Sequence, residues 1–371
     1  MKINQLAVEG WRNLEPLTLA FGPQLSVLHG DNGQGKSNVL EAVYFLATLR
    51  SFRTSRNDDL IRRGDPAGRA RAAAAVTTHG LARRFEVELR PGGRIARLDG
   101  KLVRGVAAVL GSVSVVLFVP EDLLLARAPP AARRRFIDMA VFNVERGYFG
   151  EASAFQKVLK SRNALLRRGD AQPLLLDTYD QELARTGARV IVRRRALVAE
   201  LVPRFAEHFA ALHSNLPVQL RYRGHPDLAD IGDEPALEQA LLRGLAARRA
   251  IDERRRTTGF GPHLDDLEID LAGAPARAHA SQGQLRSLVL ALKLAELTHV
   301  EARTGDAPVL LLDDVPSELD PERRRLLFES VAPLACQTLI TVTERDLVPS
   351  FAERQDFLVR GGRVTPVSGP P

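Results

Sequence analysis

One segment of the sequence has the residue types and spacing of a phosphate-binding loop. Residues 30–37 match the pattern G-x-x-x-x-G-K-[ST], between an apolar strand and an amphipathic helix. Glycines let the backbone N–H groups turn toward phosphate oxygens, Lys36 supplies a mobile charge, and Ser37 offers a hydroxyl to Mg²⁺. The alternative is a glycine-rich turn with an incidental lysine, but the strand and helix favour ATP binding. The predicted binding residues are Gly30, Asp31, Asn32, Gly33, Gln34, Gly35, Lys36 and Ser37.

A second candidate is a pair of acids that follows the apolar run 309–312. A carboxylate at a strand end beside a phosphate site suits a Mg²⁺ ligand, which predicts that role for Asp313. The next acid, Asp314, is the candidate that orients or deprotonates the attacking water. The alternative is a strand ended by two solvated acids. Lys36 and Asp313 are far apart in the chain, so a large insertion must separate the two halves of the site.

A third candidate precedes a strong helical pattern at 285–297. Ser281 can cap that helix, and Gly283 allows a close backbone approach to an anion. A plain helix cap explains the same residues. Their position upstream of the acidic strand instead resembles the signature motif of ABC-type ATPases, where this helix end contacts a nucleotide held by a partner subunit.

The hydrophobic pattern predicts the elements that must position these residues. Short apolar runs alternate with helical segments at both ends of the chain, which predicts an α/β fold. Strands are expected at 3–8, 17–21, 25–28, 85–89, 113–119, 309–312 and 339–342. Hairpin turns are expected at 99–100 and 361–362, and helices from residue 36 and at 285–297 and 322–331.

The middle of the chain has a different pattern. Residues 131–256 are rich in Arg, Leu and Ala with helical periodicity, and predict helices at 136–166, 179–209 and 235–256. We therefore expect an ATPase head built from 1–130, which holds the P-loop, and 257–371, which holds the acidic strand. A helical arm at 131–256 would be inserted between them.

Composition excludes several classes of protein. Of 371 residues, 45% are hydrophobic and 26% charged, which is ordinary for a globular protein. The single cysteine excludes an intrachain disulfide, and no uncharged run approaches the ~20 residues of a membrane span. Without an apolar signal-peptide run near Met1, we expect a cytoplasmic protein. The net charge of +7 favours a polyanionic partner such as DNA.

The chain resembles the RecF family of ABC-type DNA-repair ATPases, relatives of SMC proteins without their long coiled coil. The resemblance runs nearly end to end and includes a D-loop-like segment after the acidic pair. Its motifs are Trp11-Arg12-Asn13-Leu14, Asn38-Val39-Leu40-Glu41-Ala42, Pro120-Glu121-Asp122-Leu123, Arg133-Arg134-Arg135-Phe136, Ser161-Arg162-Asn163-Ala164, Gly261-Pro262-His263, Ser281-Gln282-Gly283-Gln284 and Asp313-Asp314 with Ser317-Glu318-Leu319-Asp320.

This resemblance implies an ABC-type head with an inserted arm, and a function in DNA repair, recombination and replication restart, including the SOS response. It implies an ATP-dependent homodimer that binds duplex DNA and single-strand/duplex junctions at gaps. It further implies loading of RecA together with RecO and RecR, with ATP and Mg²⁺ as cofactors. ATP hydrolysis would be weak and DNA-dependent.

Two departures from the wider ABC pattern predict slow turnover. The usual catalytic glutamate is replaced by Asp314, which is one methylene shorter, and Thr343-Glu344 stands where a switch histidine is usual. The roles of four other residues stay open. Arg12 lies either near the phosphates or in a surface turn, and His263 is either catalytic or a packing residue. Glu121 and Asp122 either approach the metal-bound water or the loop that joins the lobes, or they cap a helix.

Four basic clusters, at 133–135, 167–168, 193–195 and 254–256, could bind DNA phosphates or form solvated helix faces. Two other functions remain as alternatives. One is a transporter-type ABC ATPase subunit, against which the charge and the Arg-rich insertion argue. The other is a nucleotide-binding scaffold without turnover, against which the intact Lys36, Ser37, Asp313 and Asp314 argue.

Overall fold

A computed structural model describes residues 1–103, 113–145, 147–169, 173–213, 216–351 and 353–367. The chain divides into two compact units. Unit 1 comprises Met1–Leu123 and Val289–Pro371, and unit 2 comprises Leu124–Leu288. Short 3-10 helices span Asn57–Leu60, Pro120–Leu124, Pro226–Leu228, Pro262–Leu264 and Arg345–Leu347.

Unit 1 contains an antiparallel sheet with the strand order β2-β1-β4-β5-β6-β7. The alternation of buried and exposed residues along β5 buries Phe85, Val87 and Leu89 on one face, as expected for a half-buried strand. Asp99 and Gly100 both have positive φ in the turn between β6 and β7, which suits a two-residue hairpin. The strands are β1 (Lys2–Glu9), β2 (Leu17–Ala20), β4 (Ala70–Thr78), β5 (Leu81–Arg90), β6 (Gly93–Leu98) and β7 (Lys101–Leu102).

The second sheet of unit 1 has the order β15-β14-β3-β13-β12-β8 and is parallel except for β15. Its strands are β3 (Leu25–His29), β8 (Val115–Phe118), β12 (Val309–Asp313), β13 (Thr338–Val342), β14 (Arg354–Arg360) and β15 (Arg363–Val367). The residues of β12 and β13 are all buried, as expected for strands covered on both faces. Its helices are α1 (Lys36–Thr48), α8 (Val315–Glu318) and α9 (Pro321–Val331), and α7 (Gln282–Thr304) begins in unit 2 and ends in unit 1.

Unit 2 is mainly helical. Its helices are α2 (Pro130–Val144), α3 (Tyr148–Arg168), α4 (Pro173–Leu212), α5 (Glu234–Arg255) and the short α6 (Ala276–His279). A small antiparallel sheet has the order β11-β10-β9, formed by β9 (Val218–Arg223), β10 (Asp266–Leu271) and β11 (Ala274–Pro275). Helix α4 packs against α3, α5 and β9, so it forms the centre of this unit.

The predicted strands and hairpins of unit 1 are confirmed, and so is the α/β fold. One predicted helix is wrong: 136–166 is two helices, because Glu145 is extended at the end of α2 and α3 begins after Gly147. The predicted arm is also not wholly helical, since β9 lies inside 131–256. Its partner β10 lies outside that range, so strand pairing extends unit 2 beyond the predicted boundary. Strand β4 was not predicted, because its run of alanines lacks an apolar alternation.

Candidate functional site

The loop 30–37 follows β3 and leads directly into α1, as its motif predicts. Three of its glycines have positive φ: Gly30 at 143°, Gly33 at 79° and Gly35 at 116°. A Cβ atom at Gly30 would lie 2.3 Å from the carbonyl oxygen of Val359 on β14. Glycine is therefore required at position 30 both by the backbone conformation and by the neighbouring strand.

Lys36 is the first residue of α1, and its side chain turns back over the loop. Its Nζ donates to the carbonyl oxygens of Gly30 at 2.5 Å and Asp31 at 3.0 Å. Burial lowers the pKa of Lys36, whereas the negative charges of Asp314 and Asp313 oppose that shift. A buried cation between a glycine-rich backbone and two carboxylates is suited to meet an anionic ligand.

Strand β13 lies between the acidic strand β12 and strand β3, which precedes the P-loop. The parallel sheet therefore places the acidic pair near the loop. Asp313 lies opposite Thr341 in the parallel register, and Thr341 lies opposite Leu28 near the end of β3. Because the carboxyl ends of parallel strands meet at one edge, residues distant in sequence converge there. The Thr341 hydroxyl donates to Oδ1 of Asp313 at 2.7 Å. Thr341 was not among the predicted site residues, because a buried threonine in a strand carries no distinctive motif.

Asp313 and Ser37 are close enough to share a hydrogen bond. Burial raises the pKa of Asp313, and the hydrogen bonds from Ser37 and Thr341 act in the opposite direction. One carboxylate and one hydroxyl at the mouth of a P-loop are hard oxygen ligands of the kind that Mg²⁺ prefers, with water and phosphate completing its shell. Ser37 and Asp313 therefore fit the predicted metal site.

Asp314 is positioned by Thr341, which also holds Asp313, and by Ser317. Its backbone has a φ of 54°, and its N–H donates to the carbonyl oxygen and hydroxyl of Thr341 at 3.1 and 2.9 Å. Its Oδ1 accepts a hydrogen bond from the Ser317 hydroxyl at 2.5 Å. The side chain is partly exposed, so a carboxylate whose backbone is held by Thr341 and whose Oδ1 is held by Ser317 can reach a water molecule.

Arg12 occupies a turn in which its φ is 51°. Its guanidinium donates through Nε and Nη2 to the two carboxylate oxygens of Glu41, at 2.8 and 2.7 Å. Glu41 is fully buried on α1 and also accepts from the Ser51 hydroxyl at 2.5 Å. In this structure Arg12 thus anchors the helix that follows the P-loop. It is partly exposed in a turn, as a surface arginine would be, and it also lies beside the helix of the phosphate-binding loop, so it shares features of both roles that the sequence suggested.

Ser281 and Gln284 form a reciprocal cap at the start of α7. The Ser281 hydroxyl accepts from the Gln284 N–H at 3.2 Å, and the Gln284 side chain accepts from the Ser281 N–H at 2.8 Å. Ser281 is exposed and Gly283 is partly exposed. The helix cap is therefore real, and it leaves Ser281 at an accessible helix N-terminus within unit 2.

Asp122 and His263, whose roles the sequence left open, form hydrogen bonds with neighbouring backbone groups. Asp122 accepts from the Val119 N–H at 3.2 Å, which supports the capping interpretation, and lies 3.6 Å from Nζ of Lys293. Its neighbour Glu121 is exposed. His263 shares a hydrogen bond of 2.9 Å between its Nε2 and the Thr258 carbonyl oxygen, and burial lowers its pKa. The hydrogen bond of Asp122 is of the kind that a helix cap makes, and that of His263 is of the kind that a packing residue makes.

The basic clusters fall into two groups. In 133–135 and 193–195, Arg133 forms a two-bond ion pair with Asp266, and Arg194 forms one with Asp138. These arginines stabilise unit 2 internally. The arginines of the other two clusters, 167–168 and 254–256, are exposed at the ends of α3 and α5.

Comparison with known proteins agrees with this geometry. The family model described as the RecF/RecN/SMC N terminal domain matches residues 2–356. A "DNA replication and repair protein RecF" of Anaeromyxobacter sp. (strain Fw109-5) is 42% identical, over 99% of this chain and 100% of that protein. The RecF of Myxococcus xanthus (strain DK1622) is also 42% identical, over 98% of this chain and 97% of that one.

The chain belongs to the RecF family.

Solved structures extend the likeness within this family and beyond it. A structure titled "recombination mediator protein RecF-ATPrS in RecFOR pathway" has a TM-score of 0.91 and 29% identity, covering 99% of this chain and 98% of that one. An Smc head bound to the C-winged helix domain of ScpA has a TM-score of 0.56 and 17% identity over 99% of this chain and 97% of that one, which shows a shared fold. Among the described helices, none is long and apolar enough to cross a membrane.

Proposed function

We propose that this chain is a slow, DNA-dependent ATPase that acts as a switch in DNA repair and recombination. The observation that carries the proposal is the convergence of Lys36, Ser37 and Asp313 at one edge of the parallel sheet. A RecF relative of closely similar structure is described in its title as bound to ATP. Unit 1 would be the ATPase head, and the helices of unit 2 would form the arm.

The binding residues have distinct roles in this proposal. The backbone of residues 30–37 holds the phosphates, and Lys36 moves from the carbonyl oxygens of the loop to the β- and γ-phosphates. Ser37 and Asp313 would hold Mg²⁺, which would neutralise developing negative charge. Thr341 keeps the carboxylate of Asp313 in place for that ligand.

Hydrolysis requires a water molecule positioned for attack on the γ-phosphate. Asp314 accepts a proton from that water or orients it, and Ser317 and Thr341 fix the position of Asp314. An aspartate reaches one methylene less far than the glutamate usual in ABC ATPases, which predicts slow turnover. Slow turnover suits a clamp or timer that keeps its ATP-bound state for long periods.

We infer that the functional unit is an ATP-dependent homodimer. Ser281 and Gly283 lie at an exposed helix N-terminus, whose N–H groups and positive potential suit a γ-phosphate held by a partner chain. A monomer would bind nucleotide without closing the far side of the site. ATP would then join the two subunits, and ADP would release them.

The names of the relatives support a proposal about macromolecular partners. Curated relatives are named DNA replication and repair proteins, and similar structures are placed by their titles in the RecFOR pathway. We propose that this chain binds duplex DNA and junctions at gaps, works with RecO and RecR, and so promotes RecA loading. The net charge of +7 and the exposed arginines of 167–168 and 254–256 support contacts with DNA phosphates.

One set of assays tests the proposal. Phosphate release is measured with and without DNA, and binding is measured on duplex, gapped and single-stranded DNA at several salt concentrations. Lys36→Met and Lys36→Arg should abolish productive ATP use, because the first removes the charge and a guanidinium does not fit the same position. DNA affinity should fall steeply with salt. Nucleotide binding without any hydrolysis would instead support a scaffold, and wild-type turnover in both variants would refute the P-loop assignment.

A further inference from the structure

Two consecutive carbonyl groups of the P-loop are held from outside by distant parts of unit 1. The carbonyl oxygen of Gly33 accepts from Nδ2 of Asn13 at 3.1 Å. The carbonyl oxygen of Gln34 accepts from the N–H of Gly362 at 2.9 Å. Asn13 lies in the turn between β1 and β2, and Gly362 lies in the turn between β14 and β15. The loop is therefore braced on one side by two separate turns.

The direction of a carbonyl group determines the direction of the next N–H. In a planar trans peptide the C=O and N–H point to opposite sides. Holding the carbonyls of Gly33 and Gln34 outward therefore turns the N–H groups of Gln34 and Gly35 to the opposite side. That side is where a glycine-rich nest holds its anion. The two external hydrogen bonds thus preset two of the donors available to a phosphate.

Each brace is itself supported. Nδ2 of Asn38 donates to Oδ1 of Asn13 at 2.6 Å, which orients the Asn13 amide toward the loop. Nη1 of Arg53 donates to Oδ1 of Asn38 at 2.6 Å. On the other side, the N–H of Glu15 donates to the carbonyl oxygen of Gly362 at 3.0 Å, so the hairpin is tied to the chain just after Asn13.

The fit at Gly362 leaves no space for a side chain. Its φ is 81°, and a Cβ atom there would lie 2.1 Å from the carbonyl oxygen of Asn13 and 3.4 Å from the N of Glu15. The adjacent Gly361 also has a positive φ, 59°, but a Cβ atom there would have no neighbour within 4 Å. Gly361 donates its N–H to Oε1 of Gln34 at 2.6 Å, so both turn residues contact the same P-loop residue.

We propose that Asn13 and Gly362 are positioning residues for phosphate binding, and that the β14–β15 turn is a working part of the nucleotide site. They act through the carbonyls of Gly33 and Gln34, and contact no phosphate themselves. The proposal rests on the proposed nucleotide binding at residues 30–37. It predicts weaker binding of both ATP and ADP when a brace is lost, since the cradle serves the phosphates that the two nucleotides share.

The test compares Gly362→Ala with its matched control Gly361→Ala, using fluorescent ATP and ADP analogues. Both alanines suffer the strain of positive φ, but only the one at position 362 collides with Asn13 and displaces the N–H held by Gln34. We expect Gly362→Ala to bind both nucleotides about tenfold or more weakly than Gly361→Ala. Circular dichroism of each variant at the assay temperature verifies that the protein is folded.

Asn13→Ala provides a second variant, because Asn13 is exposed and its loss removes the hydrogen bonds to Gly33 and Asn38 without emptying the hydrophobic core. Its control is Asn4→Ala, which removes an exposed amide bonded to Thr77 in the same unit. Asn13→Ala should weaken ATP and ADP binding several-fold, and Asn4→Ala should leave both unchanged. Variants at 13 and 362 that bind within twofold of their controls would overturn this inference alone. A wild-type chain that binds neither nucleotide would overturn the proposed function as well.

Discussion

Asp313 and Asp314 both form hydrogen bonds with Thr341, a residue that lies outside their own motif. The Thr341 hydroxyl donates to Oδ1 of Asp313 and accepts a hydrogen bond from the backbone N–H of Asp314, so one buried residue orients the carboxylate of Asp313 and the backbone of Asp314. Burial raises the pKa of Asp313 against the effect of its two hydroxyl donors. A buried carboxylate of this kind costs folding free energy, which a bound cation would offset. The site residues are thus placed for ligand binding at the expense of local stability.

At this scale we expect Asp314→Asn to trap the ATP-bound state. The change removes the group that orients or deprotonates water, but leaves Asp313 to hold the metal. Phosphate release should fall by about 100-fold or more, while nucleotide binding persists and DNA complexes become long-lived. Turnover and nucleotide retention are measured on the same preparation. Turnover equal to that of the wild type would show that Asp314 neither orients nor deprotonates the attacking water.

Ser317→Ala is the matched control for that variant. It removes the 2.5 Å hydrogen bond to Oδ1 of Asp314 but leaves the carboxylate itself. We expect a fall in turnover of only several-fold, because a less well oriented base still accepts a proton. A loss as complete as that of Asp314→Asn would mean that Ser317 has a direct part in hydrolysis.

At the scale of elements, the helices of unit 2 are joined by a buried ion-pair network. Arg162 on α3 is fully buried, and donates to Asp180 on α4 at 2.6 Å and to Asp252 on α5 at 2.8 Å. It also donates to the hydroxyl of Thr258 at 2.9 Å. Arg162 lies in the motif Ser161-Arg162-Asn163-Ala164, one of those on which the resemblance to the RecF family rests. Its contacts are with other side chains of unit 2, so its role is structural. The network specifies how three helices pack together.

Arg162→Met should destabilise the protein by about 3–5 kcal/mol, because it leaves the buried carboxylate of Asp252 without its cation and removes one of the two arginines that pair with Asp180. The matched control is Arg167→Met on the exposed end of the same helix, which should change stability by less than about 0.5 kcal/mol. Urea unfolding followed by circular dichroism measures both. Equal stability of the two variants would show that the network contributes nothing to folding.

We expect His263 to make the stability of the protein depend on pH. Burial lowers its pKa below 6.5 in the folded state, so protonation favours the unfolded chain. This penalty is absent above the unfolded pKa and grows as the pH falls toward the folded value. We expect His263→Gln to lessen the fall in thermal midpoint between pH 7.5 and 5.5. The exposed His279→Gln is the control, and an identical pH slope in the wild type and His263→Gln would contradict the assignment.

At the scale of the whole molecule, the central expectation is an ATP-dependent dimer. Ser281→Arg places bulk and charge at the exposed helix N-terminus that would meet a partner's γ-phosphate. ATP binding should remain, whereas dimerisation and hydrolysis should be lost. Analytical ultracentrifugation with ATP, with ADP and without nucleotide measures the mass. A wild-type mass that is the same in all three conditions, or a variant that still dimerises, would refute the shared-site mechanism.

The parts of this protein that depend on neighbouring residues could be predicted from the sequence. The P-loop functions through eight consecutive positions, so its pattern was readable without a fold. The strand that ends in Asp313 and the helix that begins at Lys36 were predicted because burial imposes a periodicity on local sequence. The α/β fold followed from the order of these elements.

The distant residues that support the site could not be predicted from the sequence and became visible in the fold. Periodicity shows which face of a strand is buried, but it does not name the strand that lies beside it. The pairing of β9 with β10, the hydrogen bond from Thr341 to Asp313 and the contact of Gly362 with Gln34 therefore had no local signal. Such contacts form when packing of the whole chain brings hydrogen-bonding groups together. Each joins residues that lie tens or hundreds of positions apart in the sequence.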